Sequence, residues 1–448
     1  MKRQSKLGLI TLVLLVNVLL LSACTGGNNG VAPTAVGNEK QTDSSANKGN
    51  GEPIKLTFWG GVPAEAGPQE VVDNWNKENP DIQVEYVRYV NDDAGNLKLD
   101  TALMTGQGVD LYASYLLPRL EKRVQAGNAV DLAQFGDYDI DDKIGPDAKA
   151  WQVEGKYYAM PTKKNIYFMW LNKDALDAAG LPVPYDWTWE DVKDYAKQLG
   201  TNDRWGMVQT LRELDFIMDG SIAAKGNILP DGTSNLGDPN ARRYLEILNE
   251  MMFEDKTTPP MGEQISNKMP IEADFLGGKA AMFYAGEWIF RFANNMKDYP
   301  RDFKIAFAPI PKVTTEQGDF KTIGGVGDAI SINAKSENVE AAWKFLKWYA
   351  DGGMLPQAAG GRLPASKDAD GELALELLLK GVEDTYDLDS VKKVLLRDDL
   401  EKFTLNLEQQ VIDMRKEEYE KYFTHAQSLD DTVANIVKRH NDFIKQSK

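Results

Sequence analysis

Cysteine and histidine are scarce in this chain of 448 residues, which contains one cysteine and two histidines. A single cysteine cannot form a disulfide within the chain. His425 and His440 both fall in a C-terminal stretch with a helical pattern, where we interpret them as surface residues. A histidine-based metal site or a Ser-His-Asp triad would need one of them, so we expect no such site, no metal and no cofactor.

Basic residues are fewer than acidic ones. The 51 Lys and Arg residues are outnumbered by 68 Asp and Glu, which gives a formal net charge of −17. Proteins that bind nucleic acid need basic patches to neutralise phosphates. We therefore exclude nucleic acid as a partner, whereas the charge says little about a neutral ligand.

The N-terminus carries an export signal. Three cations lie within the first six residues, and residues 7–21 form an apolar run that only Gly, Thr and Asn interrupt. This run is shorter than the roughly 20 residues that a membrane-spanning helix needs, and it is typical of a secretory signal. It ends in Leu-Ser-Ala-Cys, which resembles the bacterial lipobox, in which the cysteine is diacylated and the chain is cut before it. We expect a lipoprotein signal peptide at 1–23 and lipidation of Cys24; the alternative is an ordinary signal peptide followed by a chance cysteine.

Residues 24–51 consist mainly of Gly, Asn, Ser, Thr, Ala and Lys. Such a segment cannot bury enough apolar surface to offset its ordering entropy, so we predict a flexible tether. Cleavage before Cys24 removes three cations and no acids, which changes the net charge from −17 to −20. Because the only thiol would carry lipid, no catalytic thiol remains.

The rest of the chain, residues 52–448, is long enough for about two domains. Strand and helix patterns alternate along it, which predicts an α/β fold with a parallel sheet and helices on both faces. Capping signals mark two helix starts, at Thr188 with Asp191 and at Asp238 with Pro239. The predicted strands are 54–59, 82–87, 109–113, 205–208, 304–308 and 329–332, and the clearest predicted helices are 68–77, 238–253 and 339–349.

Six segments in order resemble extracellular solute-binding protein family 1, the carbohydrate receptors of ABC importers. The segments are LTFWG at 56–60, WNKENPDI at 75–82, GKYYAMP at 155–161 with NKD at 172–174, FLGGKAAM at 275–282 with GEW at 286–288, PIP at 309–311, and AAWKFL at 341–346. Each segment alone is a weak signal, but together they span nearly the whole chain after the tether. The Lys163-Lys164-Asn165 stretch departs from the commonest family pattern, which carries an acid and small polar residues there.

The resemblance implies a two-lobed periplasmic-binding-protein type II fold, with a hinge and a ligand cleft between the lobes. It places lobe one at 52–163 and 313–356, and lobe two at 164–312 and 357–448. Aromatic side chains in such a cleft would cover the apolar face of a sugar, and polar groups would pair with its hydroxyls.

Strand ends and the family pattern together give the candidate ligand-binding residues. Trp59 ends the first predicted strand before two glycines, and Trp288 corresponds to the family's stacking tryptophan, with core packing as the alternative for both. The glycine-rich segment 324–327 precedes a predicted strand and lacks a phosphate-loop Gly-Lys-Ser/Thr, so we expect it to let backbone approach a ligand or a hinge. The candidates are Trp59, Glu65, Ser114, Tyr115, Asn165, Tyr167, Asp215, Glu287, Trp288, Gly325 and Arg362.

The expected function is that of a monomeric, extracytoplasmic substrate-binding lipoprotein, which captures a sugar or oligosaccharide by closure of its lobes and delivers it to the transmembrane permease subunits of an ABC importer. Three alternatives stay open: a lipid-anchored glycoside hydrolase with two carboxylates, a receptor for a peptide, polyamine or metal chelate, and a sensor for a membrane kinase. Lys163, Lys164 and Arg362 would suit an acidic sugar. The acidic run 137–142 begins like a calcium loop but lacks the required Gly and Glu, so no calcium site is predicted.

Overall fold

A computed structural model of the protein describes residues 52–106, 108–210, 214–315, 322–395, 402–403 and 407–447. The nine strands in these ranges are β1 (Ile54–Gly60), β2 (Ile82–Arg88), β3 (Leu111–Ser114), β4 (Met160–Asn172), β5 (Trp205–Gln209), β6 (Ala280–Gly286), β7 (Ile305–Ala308), β8 (Thr322–Ile332) and β9 (Lys402–Phe403). The sixteen α-helices in these ranges are α1 (Pro68–Glu78), α2 (Asp93–Thr105), α3 (Leu117–Gln125), α4 (Ile140–Ile144), α5 (Lys173–Ala179), α6 (Trp189–Leu199), α7 (Leu214–Lys225), α8 (Pro239–Asn249), α9 (Met261–Asn267), α10 (Ile271–Leu276), α11 (Phe290–Ala293), α12 (Val339–Trp348), α13 (Gly371–Leu379), α14 (Leu388–Leu395), α15 (Gln409–Phe423) and α16 (Leu429–Gln446).

Cys24, the expected signal peptide and the expected tether lie outside the described residues. Within the described ranges, no helix combines the length and the apolar character that a membrane span requires.

The sheet has the strand order β2-β1-β3-β8-β4-β6-β5, with β7 paired to β4 and β9 to β8. The pairs β1–β2, β1–β3 and β5–β6 are parallel, as the alternation of strands and helices predicts. The sheet is mixed, however, and the prediction of a parallel sheet is wrong for the other pairs, because β8 is antiparallel to β3 and β4, and β4 is antiparallel to β6 and β7. These two strands carry the chain between the two regions of the sheet in opposite directions.

Strand β4 is central to this arrangement. Its first half, Met160 to Ile166, pairs with β8, and its second half, Tyr167 to Asn172, pairs with β6 and β7. Side chains of the second half alternate between two cores: Met169 and Leu171 join one, Phe168 and Trp170 the other. Both faces are covered, which explains an apolar run without polar alternation.

A separate core lies around β1, β2 and β3, where Leu56, Phe58 and Val84 pack against Trp75 of α1 and Phe345 of α12. The described residues thus contain one core that includes the first half of β4 and two cores that include its second half. The predicted lobe boundaries, 52–163 with 313–356 and 164–312 with 357–448, stay a prediction.

Local capping signals fixed helix starts as expected. Thr188 and Asp191 form a reciprocal capping box at α6, and the Asp238 side chain accepts from the Asn240 amide at the start of α8, with Pro239 in the first turn.

Two local predictions are corrected by the structure. The glycine-rich segment 324–327 does not precede a strand but lies inside β8, where its residues pair with Ile166 to Lys163 of β4. Pairing with the neighbouring backbone overrides the poor strand propensity of glycine. A Cβ on Gly327 would come within 2.6 Å of the Asn165 side chain, so any other residue there would displace Asn165.

His440 is the second correction. It is buried rather than on the surface, with 2% of its area exposed, and its Nδ1 lies 2.8 Å from Ser234 Oγ. Four-residue spacing places it on the buried stripe of α16 with Thr432, Ile436 and Ile444. Burial and the nearby charge of Arg415 lower the pKa of His440. His425 is exposed and follows the end of α15.

Candidate functional site

A cavity of about 1460 Å³ opens at the carboxyl ends of five strands. The chain after each of β1, β2, β3, β5 and β6 contributes to its lining, through Glu65, Asn91, Tyr115, Thr210 and Trp288 respectively. In α/β folds, ligand-binding groups collect outside the carboxyl ends of the strands. This cavity is therefore the candidate binding site.

The two crossing strands, β4 and β8, form one wall of the same cavity. Lys163, Asn165 and Tyr167 alternate along β4 and all line it, as expected for side chains two residues apart on a strand. Asp328 of β8 and Arg362, just after a short 3₁₀ segment, complete this wall.

Two aromatic rings stand together in the cavity wall. The Trp288 and Tyr167 rings meet edge to face, with centroids 5.2 Å apart and an interplanar angle of 74°. Tyr167 also stacks near Tyr284, whose ring centroid is 6.3 Å away. Because both Trp288 and Tyr167 are only partly buried, they offer aromatic surface to a bound molecule.

A buried ion pair underlies this wall. The Lys163 ammonium donates to Glu287 Oε1, and the Ile166 amide donates to Glu287 Oε2 at 3.0 Å. The two side chains are 7% and 1% exposed. Glu287 thus holds the crossing strand to the segment that follows β6, and it neutralises Lys163 without help from a ligand.

Arg362 and Asp328 form the second pair, with Arg362 Nε donating to Asp328 Oδ2 at 3.1 Å. Burial opposes the Arg362 charge, but Asp328 and further acidic and phenolic neighbours outweigh it and raise the pKa of Arg362. Arg362, like Lys163, already faces a carboxylate, and Lys164 is exposed and outside the cavity lining. The three cations on which the acidic-sugar hypothesis rested do not support it.

Tyr115 contributes a neutral hydroxyl. Its oxygen accepts a 2.6 Å hydrogen bond from the Gly61 amide. Burial and the charge of Asp328 raise the pKa of Tyr115 well above its usual value, so the phenol keeps its proton at physiological pH.

Six of the eleven candidate residues line the cavity. They are Glu65, Tyr115, Asn165, Tyr167, Trp288 and Arg362. Whether each of them contacts a ligand stays a prediction.

Four other candidates lie outside the lining. The Trp59 ring packs with Leu99 and Leu103 of α2, on the face of β1 opposite Phe58, because neighbouring strand residues point to opposite faces. The Ser114 hydroxyl is buried and accepts from Arg123 Nη1 at 2.8 Å. Glu287 lies beneath Lys163, and Gly325 pairs with Asn165 through backbone.

Asp215 lies in α7, but its side chain is outside the described part of the chain.

Sequence reasoning missed several lining residues, among them Arg88, Glu272, Arg291 and Asp328. Two of them carried a usable signal. Arg291 lies three residues after Trp288, one helical turn along the segment that follows β6. Asp328 is a charged residue inside an apolar, glycine-rich strand, and its φ of 47° is unusual for a residue with a side chain.

Comparison with known proteins agrees with this architecture. The family of bacterial extracellular solute-binding proteins matches residues 60–351. The arabinooligosaccharide-binding protein of Halalkalibacterium halodurans is 25% identical over 292 residues, which cover 62% of this chain and 63% of that protein. An uncharacterized lipoprotein of Streptomyces antibioticus is 23% identical over 322 residues, covering 67% of this chain and 64% of its own. An ABC substrate-binding protein from Listeria monocytogenes, solved in complex with cycloalternan, superposes with a TM-score of 0.68 at 22% identity and covers 88% of this chain and 99% of its own.

The superposition with solved substrate-binding proteins shows the two-lobed α/β architecture, which confirms the predicted fold class. The chain belongs to the bacterial extracellular solute-binding protein family, as its motifs indicated. The match spans slightly less than two thirds of the length of the arabinooligosaccharide-binding relative.

Proposed function

We propose that this protein is the substrate-binding component of an ABC importer and that it captures an oligosaccharide in the strand-end cavity. The observation that carries the proposal is the pairing of Trp288 and Tyr167 in a cavity otherwise rich in polar side chains. Aromatic faces match the apolar faces of sugar rings, and amides, guanidiniums and phenols match their hydroxyls. The cavity exceeds the roughly 300–1,000 Å³ of drug-sized pockets, which favours several sugar units over one.

The proposed mechanism is ligand-driven closure. A saccharide that contacts residues on both sides of the crossing strands binds the closed form better and shifts the population towards it. The closed form then docks on the permease, and a separate subunit hydrolyses ATP. The protein itself performs no chemistry in this scheme, and Glu287 and Asp328 serve as partners of Lys163 and Arg362.

A thermal-shift screen over neutral and acidic oligosaccharides tests the proposal. A ligand that binds only the native state at 100 times its Kd adds about 2.7 kcal/mol to the free energy of unfolding, which raises the melting temperature. We expect at least one oligosaccharide to do so and to be recovered intact after incubation. Turnover of that saccharide at enzyme-like rates would overturn the receptor assignment, as would the absence of any stabilising saccharide.

We further propose that the receptor is held at the membrane through lipid on Cys24 and acts as a monomer. The sequence pattern at 1–24 supports the anchor, and the similarity to a Streptomyces lipoprotein agrees with it. Two or more acyl chains are needed for lasting attachment, because one chain binds only marginally. In cells, the wild-type protein is expected in the membrane fraction and the Cys24→Ser variant outside it or unprocessed; membrane retention of a processed Cys24→Ser protein would contradict the anchor.

A further inference from the structure

Arg291 is a partly buried cation of the cavity that pairs with no acid among the described residues. It lies on α11, is half-buried and lines the cavity. Its Nε is buried without a hydrogen-bond partner, and its guanidinium sits 4.5 Å from the centroid of the Phe292 ring. Across the described part of the chain, no hydrogen bond or ion pair joins the Arg291 guanidinium to a carboxylate. A buried guanidinium nitrogen without an acceptor is costly, which makes Arg291 a candidate to gain an acceptor from a ligand.

The other buried cations of the cavity differ from Arg291 because each is paired with an acid. Lys163 is neutralised by Glu287, and Arg362 by Asp328. Arg88 is exposed on the same cavity wall and adds positive charge.

Burial and the charges near Arg291 act on its pKa in both directions. Burial and the positive charges of Arg362 and Arg88 lower the pKa of Arg291, while Glu272 and Tyr299 oppose them, and no ion pair between Arg291 and Glu272 is present in the described structure. Because arginine stays protonated in proteins, Arg291 keeps its charge beside these other cations.

The shape and charge of the site limit what that anion can be. A guanidinium presents a planar fork of donors that matches a carboxylate bidentately. The cavity wall also carries six acidic residues against four basic ones, which disfavours a densely charged polyanion. These residues are Glu65, Glu70, Asp73, Glu272, Asp298 and Asp328 on the acidic side, and Arg88, Lys163, Arg291 and Arg362 on the basic side.

We propose that the ligand is an oligosaccharide with an isolated carboxylate, such as one carrying a uronic acid, and that Arg291 binds this carboxylate. The inference rests on the proposed function and names the substrate class of the same cavity. Lys163 and Arg362 are already paired with acids, and Lys164 lies outside the cavity lining. The carboxylate of an acidic ligand is therefore assigned to Arg291 and not to these three residues.

Matched ligands test the inference. Isothermal titration calorimetry would compare di- to tetrasaccharides that contain glucuronate, galacturonate or mannuronate with their carboxyl-reduced, neutral counterparts. A charge-assisted hydrogen bond contributes about 10- to 100-fold in affinity, so we expect the best acidic ligand to bind at least about 10-fold more tightly than its reduced form. Arg291→Gln should abolish that preference, and Arg291→Lys should restore part of it.

Lys297→Gln serves as the matched control, since Lys297 is exposed, follows Arg291 closely in sequence and lies outside the cavity lining. It should leave the preference unchanged. Equal affinity for acidic and reduced ligands in the wild type would overturn this inference and leave the receptor function standing. A preference that survives in Arg291→Gln would overturn the role of Arg291, and an absence of binding by every saccharide would overturn both the inference and the proposed function. Retained binding of the reduced ligand shows that Arg291→Gln is folded.

Discussion

Glu287→Ala is expected to lower the free energy of unfolding by about 3–5 kcal/mol, because it leaves a buried charge without its partner. The Glu287 side chain is 1% exposed, and it accepts from both the Lys163 ammonium and the Ile166 amide. Its removal leaves the charge of Lys163, which is 7% exposed, without a partner. It also leaves a backbone N–H of the crossing strand unpaired. Urea unfolding followed by tryptophan fluorescence measures the loss.

A double variant distinguishes the effect of losing the ion pair from the effect of losing side-chain volume. Lys163→Met with Glu287→Leu replaces the ion pair by apolar groups of similar volume, and it should recover most of the stability lost in Glu287→Ala. The exposed pair of Arg119 with Asp93 provides the control, and Asp93→Ala should produce little measurable change. If Glu287→Ala proved as mild as Asp93→Ala, the buried pair would not be the structural link that its geometry indicates.

The same pair shows what the sequence could and could not predict. Lys163 and Glu287 are 124 residues apart, so no local pattern links them. The helix starts at Thr188 and Asp238, in contrast, rest on contacts within three residues, and these were predicted correctly. Local chemistry is visible in a sequence, whereas the pairing of distant charges depends on the fold.

Strand-end reasoning located the cavity but not every side chain in it. Tyr115 and Trp288 follow β3 and β6 and line the cavity, as expected from the carboxyl-end rule. Trp59 also lies near the carboxyl end of a strand, yet its side chain faces α2, since one step along a strand reverses the direction of the side chain. The prediction lacked the register of β1, which only the packing against α2 defines.

The crossing strands were missed for a related reason. Strand β4 was not predicted, and only residues 329–332 of β8 were, since β4 combines a polar first half with a second half that is apolar up to Asn172 and β8 contains three glycines in its first half. Each is held by pairing to a partner more than 150 residues away in sequence, as Asn165 with Gly325 shows. Without that pairing neither segment has a periodicity that favours a strand.

Trp288→Ala is expected to weaken oligosaccharide binding by about 100-fold, the effect of removing an aromatic anchor worth about 2–3 kcal/mol. The Trp288 ring lines the cavity and is supported edge to face by Tyr167, which fixes its orientation before a ligand arrives. Alanine removes the stacking surface and the edge-to-face contact with Tyr167. Calorimetric titration with the saccharide identified by thermal shift measures the change, and Trp288→Phe should lose much less affinity because it keeps an aromatic face.

Trp205 is the matched control for this substitution. Like Trp288 it is partly buried against the same core, but it lies at the start of β5 and outside the cavity lining. Trp205→Ala should therefore lower the melting temperature while leaving the Kd nearly unchanged, whereas Trp288→Ala should mainly raise the Kd. Comparable losses of affinity in both variants would mean that tryptophan packing in this core, and not stacking in the cavity, controls binding. If Trp288→Ala instead kept wild-type affinity, the ligand would have to bind on the polar walls alone, and the aromatic pair would be a structural feature of the site.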